Sequence, residues 1–123
     1  YDNTIHYVSR FIARTIDILN SLRDHYNPAL IYTSDHGESL KEDGKLFLHS
    51  APYKTAPREQ KEVPMLVWIP QKNNYKLNKT CLKKQAQTHT YSHDNIFHSL
   101  LGLSRIKSKH YQKELDIFAN CQK

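Results

Sequence analysis

The feature that most constrains this chain is the corner Ser34-Asp35-His36-Gly37-Glu38-Ser39, which follows directly on the apolar run Ala29-Leu30-Ile31-Tyr32. An apolar run of this length, preceded by the breaker pair Asn27-Pro28, predicts a short buried strand of the parallel type over residues 29–34. In open α/β sheets, ligands and metals bind just past the carboxyl end of a strand. Here that place carries a carboxylate, an imidazole and a glycine. Asp supplies a hard oxygen and His a borderline nitrogen, the donor mixture that suits Zn²⁺ at neutral pH. Gly37 is expected to let the backbone turn sharply beside a bulky ion. A bare Asp-His pair also occurs in turns with a solvated imidazole, so the metal reading depends on what surrounds it.

The surroundings are distinctive. After Ser34 to Ser39 come Leu40, Glu42 and Gly44, then Phe47 with Leu48-His49, Pro52-Tyr53, Ala56-Pro57, Glu59-Gln60 and Val63-Pro64-Met65-Leu66-Val67-Trp68. In order and spacing this stretch resembles the phosphoethanolamine transferases of the alkaline phosphatase and sulfatase superfamily. The resemblance extends over nearly the whole chain. Tyr1-Asp2-Asn3-Thr4 looks like the start of the helix before the metal strand, Ser92-His93-Asp94-Asn95 with Leu100-Leu101-Gly102-Leu103 like the closing helix, and Tyr111 with Glu114 to Ala119 like the last turn before a terminal Cys. Lys41 stands where the family has Gly, and Ser50 follows His49 where Gly is usual. Both are loop positions and bear on loop shape rather than on the ligands.

The resemblance implies an α/β fold, the C-terminal portion of an alkaline-phosphatase-like, mostly parallel sheet flanked by helices. Residues 1–123 are then the C-terminal part of a single periplasmic sulfatase-like catalytic domain, with the nucleophile half and a membrane domain upstream. It implies a zinc-dependent enzyme that takes phosphoethanolamine from phosphatidylethanolamine onto an upstream threonine, then passes it to lipid A or another surface acceptor. Asp35 and His36 would bind zinc, and His49 would sit at the transferring phosphoryl group and a second metal, so one or two Zn²⁺ ions are expected. Glu38 falls with His49 on the substrate side; it either orients His36 by accepting its second N–H or caps the next turn. By resemblance the protein works as a monomer at the periplasmic face of the bacterial inner membrane, without nucleic acid.

Composition narrows the alternatives. The net charge of +6 and pI near 9.3 favour anionic partners, but the basic residues are dispersed. The densest group, Lys72, Lys76, Lys79, Lys83 and Lys84, falls in a predicted loop and its surroundings, and no nucleic-acid recognition motif accompanies it. Two cysteines, Cys81 and Cys121, leave two thiols or one bridge open. The periplasm implied by the resemblance, where disulfides persist, favours a Cys81–Cys121 bond. No signal peptide or membrane-spanning run is present in these residues.

Along the chain, Ile5, Val8, Ile12, Ile16, Leu19 and Leu22 recur at spacings of three and four and predict a helix from Asp2 to about Arg23, capped by Asp2 or Asn3 and covering one face of the sheet. His6 and His25 are read as surface groups. Asp43-Gly44 is a turn signal that returns the chain toward the corner. Residues 63–69 predict a second buried strand, with Pro64 at its start and Trp68 in the core. A two-stranded parallel pair cannot cover its own faces, so further strands are expected upstream or on another chain. A short helix is expected around Cys81 to Gln87 and a clearer one from Asp94 to Leu103, with Ser92 or Asp94 as cap and Ile96, Phe97, Leu100 and Leu101 buried. His93 and His98 beside that cap are read as structural, and Ile117 and Phe118 as tucking the tail under the domain. No residue here matches the family's nucleophile. Two rivals remain: a sulfatase-like hydrolase or phosphoglycerol transferase, and a noncatalytic basic module that binds polyanions.

Overall fold

The computed structural model describes residues 1–40, 44, 49 and 51–122. Lys41, Glu42, Asp43, Phe47, Leu48 and Ser50, which carry part of the motif and both departures from it, lie outside the described residues. The chain forms two compact units, Tyr1–Lys72 and Asn73–Lys123.

The first unit opens with α1 (Asp2–Ser21), whose N-cap is Tyr1 rather than Asp2 or Asn3; Asp2 instead lies in the first turn, where a carboxylate suits the helix dipole. Val8, Ile12, Ile16 and Leu19 of the expected face are half-buried, but Ile5 and Leu22 are exposed and α1 buries no residue completely. The face expected to lie on the sheet is therefore only partly covered among the described residues. A helix of 20 residues is about 30 Å long, whereas a strand of four spans only ~13 Å, too little to receive the whole stripe.

The sheet itself differs from expectation. β1 (Leu30–Thr33) and β2 (Met65–Trp68) pair antiparallel, in the register Leu30–Trp68, Ile31–Val67, Tyr32–Leu66 and Thr33–Met65. A parallel return needs a long crossover, usually a helix lying on the sheet. Between the strands the described residues hold only the single turn α2 (Arg58–Lys61), which cannot serve as one. β2 is also less buried than predicted, with Leu66 and Val67 exposed and Trp68 half-buried.

The second unit is held by its tail. α3 (Lys79–Thr88) is capped by Asn78, whose Oδ1 accepts from the Cys81 N–H at 3.1 Å. Cys81 is joined to Cys121 by a disulfide, and Asn78 N–H donates to the Cys121 carbonyl at 2.8 Å. α4 (Asp94–Ser104) packs only partly as predicted: Asn95, His98 and Ser99 are its buried residues, Ile96 and Leu101 are half-buried, and Phe97 and Leu100 are 51% and 48% exposed. The cause is what α4 meets. Its inner neighbour is the backbone of the tail, which offers donors and acceptors. Asn95 Nδ2 donates to the Leu115 carbonyl, Ser99 Oγ accepts from Ile117 N–H, and His98 Nδ1 accepts from Gln112 N–H at 3.0 Å. Ser92 Oγ accepts from the Asp94 N–H at the helix start. Phe118 is fully buried, and Ile117 and Cys121 are buried with it, as the tail reading expects.

Candidate active site

β1 ends at Thr33, and the chain turns at once through Ser34-Asp35-His36. The turn is built from its own side chains. Ser34 Oγ donates to the His36 carbonyl at 2.8 Å, and the His36 N–H donates to Asp35 Oδ1 at 3.1 Å. His36 Nδ1 lies 2.9 Å from the Gly37 carbonyl, which can only accept, so Nδ1 carries the proton and Nε2 is the basic nitrogen. That Nε2 lies 3.9 Å from Asp35 Oδ2. The hydrogen bond to Gly37, and then the Asp35 carboxylate, raise the pKa of His36 above the ordinary imidazole value.

Gly37 does not adopt a left-handed backbone, which only Gly44 among the glycines does. Its requirement is steric: a Cβ there would collide with the carbonyl oxygen of Glu59 in α2. The Gly37 N–H donates to the Gln60 carbonyl at 3.1 Å, and Gln60 Oε1 accepts from the Ala51 N–H at 3.3 Å. Buried Gln60 thus ties the Asp-His corner to the segment just past His49. Reading the sequence did not single out Gln60; its only signal was membership of the Glu59-Gln60 pair.

The structure brings His49 back to the corner. Its ring stacks on that of His36 with centroids 5.3 Å apart and planes at 28°. Glu38 does not orient His36, and the next turn, which it would alternatively cap, lies outside the described residues. The His36 Nδ1 proton goes to Gly37, and Glu38 Oε1 instead accepts from His49 Nδ1 at 3.3 Å. Asp35, His36, Glu38 and His49 therefore share one solvent-facing corner, with the Asp35 and His36 side chains 90% and 51% exposed. Both imidazoles hold their proton on Nδ1 and present Nε2, the arrangement of a metal-binding histidine whose other nitrogen is engaged by an oxygen. An Asp oxygen beside an imidazole nitrogen fits half of a zinc donor set. Among the described residues no group of three acidic, His or Cys side chains is arranged to hold one ion.

His6, His25 and His93 are exposed, and His98 is buried in the second unit, its Nδ1 occupied as an acceptor. Among the described residues no helix is long and apolar enough to cross a membrane.

Comparison with known proteins adds what one corner cannot. Over its full length the chain is 45% identical to the phosphoethanolamine transferase EptA of Escherichia coli (strain K12) and spans 23% of that protein. It is 40% identical over 84% of its length to the phosphatidylethanolamine transferase Mcr-2 of Escherichia coli, of which it spans 18%. With the Kdo(2)-lipid A phosphoethanolamine 7''-transferase of Escherichia coli (strain K12) it shares 43% identity over 58% of its length, 12% of that protein. The chain thus spans less than a quarter of the curated relatives it matches. No solved structure matches it. The sulfatase family matches residues 1–106, which include the Asp35-His36 corner, His49 and both strands, and the chain belongs to that family.

Proposed function

We propose that this chain is the carboxyl-terminal part of the catalytic domain of a zinc-dependent phosphoethanolamine transferase, which moves phosphoethanolamine from phosphatidylethanolamine, through an upstream threonine, to lipid A or another surface acceptor. The observation that carries the reading is the convergence of Asp35, His36 and His49 on one corner, with both imidazoles in the Nδ1–H form. Phosphoryl transfer asks a protein to neutralise non-bridging oxygens and to hold the attacking and leaving oxygens in line. Asp35 and His36 Nε2 would hold one zinc, completed by ligands from outside this chain. When bound, the ion would lower the pKa of a hydroxyl and offset phosphoryl charge. His49, its Nδ1 engaged by Glu38 and its ring stacked on His36, would use Nε2 to contact the phosphoryl oxygens or a second zinc. The Cys81–Cys121 bond suits an oxidising compartment and supports placement at the periplasmic face of the inner membrane.

The test uses the full-length protein with headgroup-labelled phosphatidylethanolamine and lipid A. Transfer should vanish on chelation, return with zinc, and be lost in Asp35→Ala and His36→Ala but largely kept in His98→Ala. Equal loss in all three, or transfer indifferent to chelators, overturns the reading. Running phosphatidylglycerol and a sulfate ester beside it separates the phosphoglycerol transferase and sulfatase alternatives.

A second reading draws on charge. Residues 1–72 carry nine Lys and Arg against nine Asp and Glu, whereas residues 73–123 carry nine against three, so the whole surplus of +6 lies in the second unit. A polyanion-binding role predicts association with lipopolysaccharide that weakens steeply with salt and ignores chelators.

A further inference from the structure

The two stacked histidines reach the same tautomer by different means. His36 gives its Nδ1 proton to a backbone carbonyl one residue away, a partner no substitution removes. The Nδ1 proton of His49 instead goes to a side chain, Glu38 Oε1, 11 residues back along the chain, at 3.3 Å. Without an acceptor at Nδ1, a histidine side chain prefers its proton on Nε2, the nitrogen that His49 needs to keep basic. His98 holds the opposite form, its Nδ1 accepting from Gln112, which shows that this fold selects the tautomer site by site. Glu38 is placed for the task. Its side chain is two-thirds covered, it stands two residues past His36, and the His49 ring lies against the His36 ring. A carboxylate so engaged is a poor direct contact for a phosphoryl group, because like charges repel.

We infer that Glu38 is a positioning residue: it fixes the Nδ1–H tautomer and the ring orientation of His49, and through them the Nε2 atom that meets the phosphoryl group or metal. It acts through His49 and itself touches neither. This deepens the proposed function and rests on it for the identity of what His49 meets, but the tautomer assignment stands on geometry alone.

Two measurements test it. The first is ¹⁵N–¹H correlation of the His side chains in the metal-free 123-residue chain, with the His49 signals assigned by a His49→Gln variant. Wild type should show His49 as Nδ1–H, Glu38→Gln should keep that form because its amide oxygen still accepts, and Glu38→Ala should shift His49 toward Nε2–H. The second is transfer by the full-length protein. Glu38→Ala should lower kcat about ten- to a hundredfold, the usual effect of removing a partner that orients a ligand, with KM for the donor lipid little changed. Glu38→Gln should recover to within about threefold of wild type. An unchanged His49 tautomer in Glu38→Ala, or a Gln variant as impaired as the Ala variant, overturns the inference. If the tautomer shifts as stated while wild type transfers no phosphoethanolamine, the proposed function fails and the role of Glu38 stands.

Discussion

Gly37 lies so close beneath the carbonyl of Glu59 that a single added carbon would overlap the oxygen. The obstructing atoms are backbone, in a helical turn tied to the same glycine by the Gly37 to Gln60 hydrogen bond, so they cannot swing aside as a side chain would. Gly37→Ala should cost about 1–3 kcal/mol of stability, as overpacking does. It should also lower transfer about a hundredfold, because the displaced residue is next to His36 and shifts of about 1 Å are that costly. Thermal unfolding and transfer measured on one preparation check both halves.

Gln60 makes a complementary prediction. Its backbone carbonyl holds the Asp-His corner and its side chain holds Ala51, two residues past His49. Gln60→Leu keeps the size and the backbone contact but leaves the Ala51 N–H without that acceptor. The expected loss is about 1–3 kcal/mol with reduced transfer. Gln60→Glu keeps an acceptor and should retain more activity than Gln60→Leu at the same protein concentration.

How much of this was legible before the structure depends on whether the governing contact is local. The Asp35-His36 corner was readable because its donors are adjacent and its strand carries a compact apolar run. The helices were readable from spacings of three and four, and α4 begins at Asp94 as expected. Which face α4 buries was not readable. Periodicity marks the apolar stripe, but the tail presents bare peptide groups, and these select Asn95, Ser99 and His98 instead. Strand direction was not readable either, since four apolar residues look alike to a parallel and an antiparallel neighbour. The partners of Glu38 and Gln60 were hidden because they lie 11 and nine residues away, across a polar return with no periodic signal.

The disulfide gives a stability prediction. Cys81 and Cys121 are 40 residues apart, and closing a loop of that length disfavours the unfolded chain by about 4 kcal/mol in the chain-entropy model. The bond adjoins the Asn78 to Cys121 hydrogen bond and the Leu77–Gln122 bridge, which are left to hold the tail once it is cut. Reduction, or Cys121→Ser, should therefore lower the unfolding midpoint and expose residues 119–122 to protease first, since Leu115 and Ile117 keep their bonds to Asn95 and Ser99. Because the Asp35-His36 corner belongs to the other compact unit, zinc affinity of the full-length protein at temperatures well below the midpoint should change little.

Tyr111 supplies the pH prediction. Its phenol is pushed up to about 12, first by burial and then by the hydrogen bond it donates to Asp116 Oδ2 at 2.7 Å, since ionisation would set a phenolate against a carboxylate. The Asp116 carboxylate is buried and also accepts from the Phe118 N–H at 2.8 Å, so this bond anchors the turn that carries the fully buried Phe118. A proton held more tightly in the folded chain than in the unfolded one favours folding at low pH. The contribution is therefore complete below the unfolded tyrosine value of 10.0 and is lost as pH rises from there through about 12. Denaturant midpoints should fall across that window, and in Tyr111→Phe this part of the fall should disappear. At pH 7 the same variant should be less stable by about 1.5–3 kcal/mol, the net value of a hydrogen bond to a charged group. Ultraviolet titration of the phenolate at high pH, compared between wild type and Tyr111→Phe, should show the late-titrating tyrosine missing from the variant, with the two curves alike near pH 10; a variant that instead loses absorbance near pH 10 would mean that Tyr111 ionises in the ordinary range.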